Sequence, residues 1–533
     1  YCVPAAASPW NNGKPYVNVL SKEAIKEFVK VTHERYKKTL GEKLKSVPGI
    51  FTDEPYSIMP TWYYNRWPFN GDMKTDMVSY WTHDFPEQFL ADSGLDLLPL
   101  IPEIVWTRED GNAFVKYKFM DMVAQRFATA FFGEIAKWCR ENNILLTGHL
   151  VREEDLCRQS SSSGEIMRPM SKMDIPGIDL LYNGVELTTL KEGQSVKNQY
   201  GKNAMLTELY GISNWDFDFR NYKYQGDWQA ALGATLRVPH LSMYTMEGEG
   251  KRDYPASIGY QSPWYKDFSY VEDHFARLAT VLTRGKPVVR VAVLHPIESY
   301  WLYLGPSEKA RRGRERTDTM FKNITQWLLE GHIDFDYIAE SLIPELWNKN
   351  DSLVGAMRYD AIILAGITTL RDSTLKMLSE FAGNGGKVII AGDSPSMING
   401  IKGDANLPYA IEVSAEKECV LEALEENRIL TINEWQRALV TKGVPAAEYL
   451  YNLREDNDCL WLFVASKAKM ACPDVDEEKD IVITIKGEYV PSLYNTLNGE
   501  IEGLQFKHEN GETKIYKTLH SQESILIRLG KKE

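Results

Sequence analysis

Two rhythms of apolar residues alternate along the first half of the chain. Residues 22–40 repeat apolar side chains three and four positions apart behind Ser21, a residue suited to capping a helix. Further helix-length patterns cover residues 113–141, 164–172, 192–201, 227–235 and 270–284. Between them lie five short apolar runs, at 47–54, 144–150, 177–183, 204–210 and 238–247, which predict strands. A longer insertion after the first run holds a Trp/Tyr cluster, TWYYNRW, at 61–67. Strands that alternate with helices pair in parallel through right-handed crossovers.

Each predicted strand ends in polar or ionisable residues: Asp53 and Glu54, His149, Tyr182 and Asn183, Glu208, and Glu247 in a stretch that also carries Tyr244. Chemistry gathered at the carboxyl ends of parallel strands fits an α/β fold of the (β/α)8 (TIM) barrel or open doubly wound kind. The fifth strand and its helix run straight into a new domain and are taken as the last of a barrel. Glu54 then ends the fourth strand and Glu208 the seventh, with the earlier strands expected upstream of Tyr1 or replaced by other structure. The catalytic barrel domain is assigned to residues 1–287. Residues 288–405 follow as a flavodoxin-like α/β unit that resembles class I glutamine amidotransferases. It has no cysteine after its strand YDAIILAG and no phosphate-binding glycine pattern, so a structural or oligomer-forming role is expected. Residues 406–533 alternate in strand rhythm and predict a β-sandwich. The basic stretch 309–316 reads as a solvated loop.

Composition narrows the function. The 533 residues are 44% hydrophobic and 25% charged, and 61 Lys and Arg against 74 Asp and Glu leave a net charge of −13. That acidity argues against nucleic acid or an anionic membrane as partner, and no apolar run approaches the ~20 residues needed to span a bilayer. The 14 Trp and 28 Tyr supply flat faces on which sugars stack. Six cysteines without a CxxC pair predict reduced, mostly buried thiols rather than a zinc site or disulfide framework. The chain opens on Tyr1 rather than Met, so an upstream segment is expected and the compartment stays open.

The strongest constellation is a pair of carboxylates at two strand ends. Glycoside hydrolysis needs one acid to protonate the leaving oxygen and a second carboxylate as base or nucleophile. Glu54, between Asp53 and Pro55 after an apolar strand, is placed to be desolvated and protonated near neutrality. Glu208 lies two residues before Tyr210, whose hydroxyl is expected to hydrogen-bond a carboxylate. Strand-end glutamates also make salt bridges and helix caps, so each alone is a modest signal. His149 suits a sugar hydroxyl or a satisfied rim position better than a metal, because no second His stands at ligand spacing. Arg152, Glu153 and Glu154 read as a solvated loop or as substrate contacts. Trp215, Trp228 and Trp264 are stacking candidates, with core packing equally open for Trp228. Asp216 and Asp218 suit a hydroxyl pair or a capped loop, and an ion-pair network is the default around Glu247 and Glu249.

The strings GIFTDEP (49–55), TELYGISNWDFDF (207–219), KRDYPASIGYQSPWY (251–265) and VAVLHPIESYW (291–301) resemble large bacterial glycosidases with or near glycoside hydrolase family 106, the α-L-rhamnosidases. The resemblance covers roughly residues 17–305. The order barrel, flavodoxin-like domain, sandwich is also similar to family 42 β-galactosidases, whose middle domain builds a trimer. The resemblance implies Glu54 as acid and Glu208 as base or nucleophile. The strand-end and aromatic candidates Asp53, His149, Asn183, Tyr210, Trp215, Tyr244 and Glu247 are the expected substrate contacts. Family 106 implies inversion, whereas the placement on strands four and seven is more like the retaining clan. The residues around Glu208 depart from the relatives' pattern, which leaves the sugar open. No cofactor is required by the reading; calcium used by some relatives would find oxygens on Asp53, Glu54 and Glu186. The expected partner is a carbohydrate of plant or microbial origin. The alternatives are a carbohydrate-binding protein on a degenerate barrel and a β-galactosidase-like retaining hydrolase.

Overall fold

The structure, a computed structural model, describes residues 7–57, 80–252, 257–435, 444–470 and 475–531. The 61–67 aromatic cluster, Cys2, Cys472 and Asp253 lie outside these residues.

Five parallel strands build the first sheet in chain order: β1 (Gly49–Thr52), β2 (Leu145–Gly148), β3 (Ile175–Leu180), β4 (Leu206–Leu209) and β5 (Leu236–Pro239). This is a half-barrel; among the described residues β1 and β5 are its edges. Glycines let the first three strands close on one another. A Cβ on Gly148, at φ +138°, would sit 2.0 Å from the Thr52 carbonyl oxygen, and one on Gly177 would sit 2.1 Å from the Gly148 oxygen. No larger residue fits either place.

The helices behind the sheet follow the predicted periodicity with local breaks. The first divides into Lys22–Val31, capped by Ser21 as expected, and His33–Leu40. The long one runs through Phe114–Phe127, a π turn at Ala128–Phe132 and Gly133–Glu141. Two expectations need correction. The fifth strand stops at Pro239, so Tyr244 and Glu247 lie on the loop beyond it. The basic stretch 309–316 is helical, the start of Glu308–Glu330 capped by Ser307, with Arg311 and Arg312 paired to Glu308 along one face.

The middle sheet is parallel, in the order Phe335–Ile338, Val291–Leu294, Ala361–Ala365, Lys387–Ala391, Ile411–Val413, the flavodoxin-like arrangement. Its first four strands are almost wholly buried, which is why they read as continuous apolar runs. The fifth lies past residue 405; the two antiparallel sheets of the C-terminal part are built from Leu430 onward, and one of them takes Lys286–Pro287 as an edge strand. Their inner faces share a core of Ile432, Leu462, Ile483, Ile515 and Ile527.

One helix joins the first two layers. Thr188–Gln199 is polar in sequence, yet every residue of it is buried. Lys191 pairs with Asp334 at 2.6 Å, Glu192 meets Gln159 and His295, and Asn198 donates to Asp336 at 2.9 Å. The Gln199 amide donates to the Tyr337 carbonyl at 2.7 Å. Burial is tolerated because strands distant in the chain supply partners. The half-barrel and middle sheet are therefore welded together. Tyr and Arg contacts tie in the sandwich: Tyr224 donates to the Lys467 carbonyl, and Arg284 pairs with Asp456.

Candidate active site

The carboxyl ends of β1–β4 deliver acids to one place. β1 runs into Asp53 and Glu54, β2 into His149, and β3 and β4 carry Asp179 and Glu208, which are direct register partners. Three strands leave this rim through non-glycine residues in the left-handed region: Glu54 (φ 42°), Arg152 (φ 61°) and Tyr210 (φ 77°). Such backbone is held only where surrounding structure enforces it, and it clusters at functional sites.

His149 is the hub. It is 1% exposed; its Nε2 lies 2.5 Å from Glu208 Oε2 and 3.6 Å from Asp53 Oδ1. The edge of Phe51 closes one side, with ring centroids 5.5 Å apart. Burial alone would push the imidazole down. The hydrogen bond to Glu208 and the charges of Asp179 and Glu153 outweigh it and carry the imidazole up to about 10. It is thus an imidazolium near neutrality, donating to the Glu208 carboxylate. Glu208 is 9% exposed.

Glu54 has the opposite character. Desolvation, reinforced by the Asp179 charge, raises its carboxyl to about 7, with His149 opposing. Asp179 is raised to about 6, first by desolvation and then by Glu208, with His149 again opposing. Glu153, read from sequence as part of a solvated loop or as a substrate contact, is 3% exposed beneath the site. It accepts the Leu150 N–H at 2.8 Å and the Asp179 N–H at 3.2 Å. A partly buried carboxyl that keeps its proton near neutrality, beside a carboxylate oriented by an imidazolium, is the equipment for general acid–base chemistry at one centre.

The other predicted contacts fall differently. Tyr210 does not reach Glu208: it is fully buried, its hydroxyl donating to the Tyr222 carbonyl at 3.2 Å and accepting from Arg237 at 2.9 Å. The chain turns left-handed at that residue and sends its ring into the aromatic core against Phe217 and Tyr222. Trp228 is likewise core, fully buried and bonded to Gln225. Trp215 and Tyr244 are exposed on the loops after β4 and β5, and Glu247 is exposed beside Tyr244. Asn183, on the loop after β3, gives its carbonyl to Lys469 of the sandwich, while its side-chain oxygen is buried without a partner among the described residues. Asp218 caps the next helix through the Asn221 N–H.

The calcium set does not assemble. Glu186 spends its carboxylate on the N–H groups of Thr188 and Thr189. The group that gathers among the described residues is Asp53, His149 and Glu208, with ligand atoms within 4.8 Å of one another. It mixes imidazole with carboxylates, whereas calcium takes six to eight oxygens. These residues do not fit calcium.

Comparison with known proteins places this geometry. The family model described as alpha-L-rhamnosidase, glycoside hydrolase family 106, matches residues 75–461. The chain belongs to glycoside hydrolase family 106. His149, Glu153, Asp179 and Glu208 lie within the matched span, and Asp53 and Glu54 precede it. Among solved structures, a rhamnosidase from Novosphingobium sp. PP1Y superposes with a TM-score of 0.72 at 17% identity, covering 97% of this chain and 48% of that one. The chain therefore spans about half the length of that rhamnosidase. A catalytic mutant of a GH42 β-galactosidase from G. stearothermophilus gives 0.57 at 11% identity, covering 85% and 77%. An exo-carrageenase GH42 from Bacteroides ovatus gives 0.53 at 14% identity, covering 79% and 56%. At these identities the structural likeness is one of fold. No curated protein matches the chain.

Proposed function

We propose that this rim hydrolyses terminal glycosidic bonds, with α-L-rhamnosides of plant or microbial glycans as the substrate class. The observation that carries it is the difference between two glutamates on one rim: Glu54 raised to about 7, and Glu208 held 2.5 Å from a buried imidazolium. Glu54 donates its proton to the glycosidic oxygen as the bond to the anomeric carbon breaks. Glu208 accepts a proton from water as that water attacks the oxocarbenium-like centre. One oxygen of Glu208 shares its charge with His149, which makes it a weaker nucleophile than a free carboxylate but leaves a lone pair for a water proton. Inversion of the anomeric centre follows. Exchange with solvent returns a proton to Glu54 and removes one from Glu208.

Trp215 and Tyr244, exposed beyond β4 and β5, offer aromatic faces for the rest of the glycan. The five parallel strands act in this reading as the later strands of a (β/α)8 barrel. A panel of aryl glycosides followed by NMR tests the proposal. Release of β-L-rhamnose, the inverted anomer, from an α-L-rhamnoside is expected. Retention would replace the base with a nucleophile, and no turnover on any member would reject the hydrolase.

A further inference from the structure

We propose that Glu153 is a positioning residue: by tying the His149 segment to β3 it holds the imidazole against Glu208. Its catalytic consequence rests on the hydrolase reading, whereas its structural consequence does not. The contacts form a closed circuit. Glu208 is the register partner of Asp179, whose N–H donates to Glu153 Oε2 at 3.2 Å. Glu153 Oε1 accepts from Leu150, the residue after His149, at 2.8 Å, and His149 Nε2 returns to Glu208 at 2.5 Å.

The circuit matters because the ring's other polar contacts are long. His149 Nδ1 makes a 3.4 Å approach to the Leu150 carbonyl, and Asp53 Oδ1 stands 3.6 Å from Nε2. The edge of Phe51 packs on the ring, and the His149 N–H ties the backbone to the Thr52 carbonyl at 3.2 Å. Glu153 adds the tie from the next residue to the strand beside Glu208. Glu153 is itself held in place. The left-handed Arg152 turns it inward, and Gln159 donates to its carbonyl at 2.7 Å. Its chemistry is also specific. Each of its two oxygens accepts one N–H, and an amide in the same place would turn its NH2 group onto one of those donors. Burial pushes the Glu153 carboxyl well above the ordinary carboxylate range, with the charge of His149 and the two N–H donors opposing.

The test is Glu153→Gln, compared with Glu154→Gln next to it, whose carboxylate pairs with Arg158 away from the circuit. Steady-state kinetics on an aryl glycoside are read together with NMR of the protein labelled with 13C-histidine, the His149 signal being identified by its loss in His149→Gln. Glu153→Gln is expected to lower kcat tenfold or more with KM within twofold and to shift the His149 signal; Glu154→Gln should do neither. An unmoved His149 signal in Glu153→Gln would overturn the proposal whatever the rate. If the wild-type protein turns over no glycoside, the hydrolase reading falls and the His149 signal alone decides the role of Glu153. Should Glu153→Gln fail to fold, Glu153→Asp, too short to reach both N–H groups, is read in the same way. Failure of both to fold would make Glu153 a purely structural residue and sink the proposal.

Discussion

The buried helix Thr188–Gln199 and the rim of β1–β4 bury the same kinds of side chain in opposite ways. On the helix, charge meets charge: Lys191 sits on Asp334, and the amides of Asn198 and Gln199 find acceptors on the strand Phe335–Ile338. At the rim, Asp53, Glu54, Glu153, Asp179 and Glu208 gather around one imidazole. The Lys191–Asp334 pair serves the fold. At the rim, burial first and then neighbouring carboxylates raise Glu54 and Asp179, which works against the fold while equipping the site.

Removing either rim glutamate breaks that comparison hardest. Glu208→Gln should lower turnover of an aryl rhamnoside by about 10³-fold or more while its melting temperature stays near that of the wild type. Kinetics beside a thermal melt check both halves. The helix should respond in the reverse sense. Asp334→Ala leaves Lys191 buried without its partner and should cost about 3–5 kcal/mol of stability, measured by denaturant unfolding. A loss below about 1 kcal/mol would show that the helix is not matched as described.

Glu54→Gln sharpens the contrast through pH. The native carboxyl titrates near 7 against an ordinary 4.5, so ionisation penalises the folded state as pH rises between those values. The substitution should therefore stabilise the protein by roughly 1–3 kcal/mol above pH 7 and change little below pH 4.5. Melting temperatures at pH 4 and pH 8 test the sign. Trp215→Ala should have the smallest effect, about 1 kcal/mol or some fivefold in KM with kcat unchanged.

Much of this was legible in sequence because apolar runs end abruptly in acids. The runs before Glu54 and Glu208 predicted parallel strands with chemistry at their carboxyl ends, and both glutamates lie on one rim. Asp179 was hidden within GIDLL, where an apolar setting masks a carboxylate that only the register with Glu208 brings into the site. Glu153 stood in a charged run that looked solvated; the left-handed Arg152 turns it inward, and no periodicity encodes such a turn. Tyr210, two residues past Glu208, would share its face if the strand continued. The strand ends at Leu209 and the ring goes to the core. Nothing in the polar helix Thr188–Gln199 announces its burial, since its partners come from strands well over a hundred residues away.

The central claim is that Glu54 is the acid and Glu208 the base of one reaction. The most direct test is the leaving-group dependence of Glu54→Gln, measured as kcat/KM on aryl glycosides from poor to activated leaving groups, with its pH profile. The account predicts severe loss on poor leaving groups and near-normal rates on the most activated. It also predicts that the alkaline limb of the wild type, near pH 7, disappears in the variant. Equal loss across all leaving groups, or a wild-type alkaline limb in the variant, would contradict it.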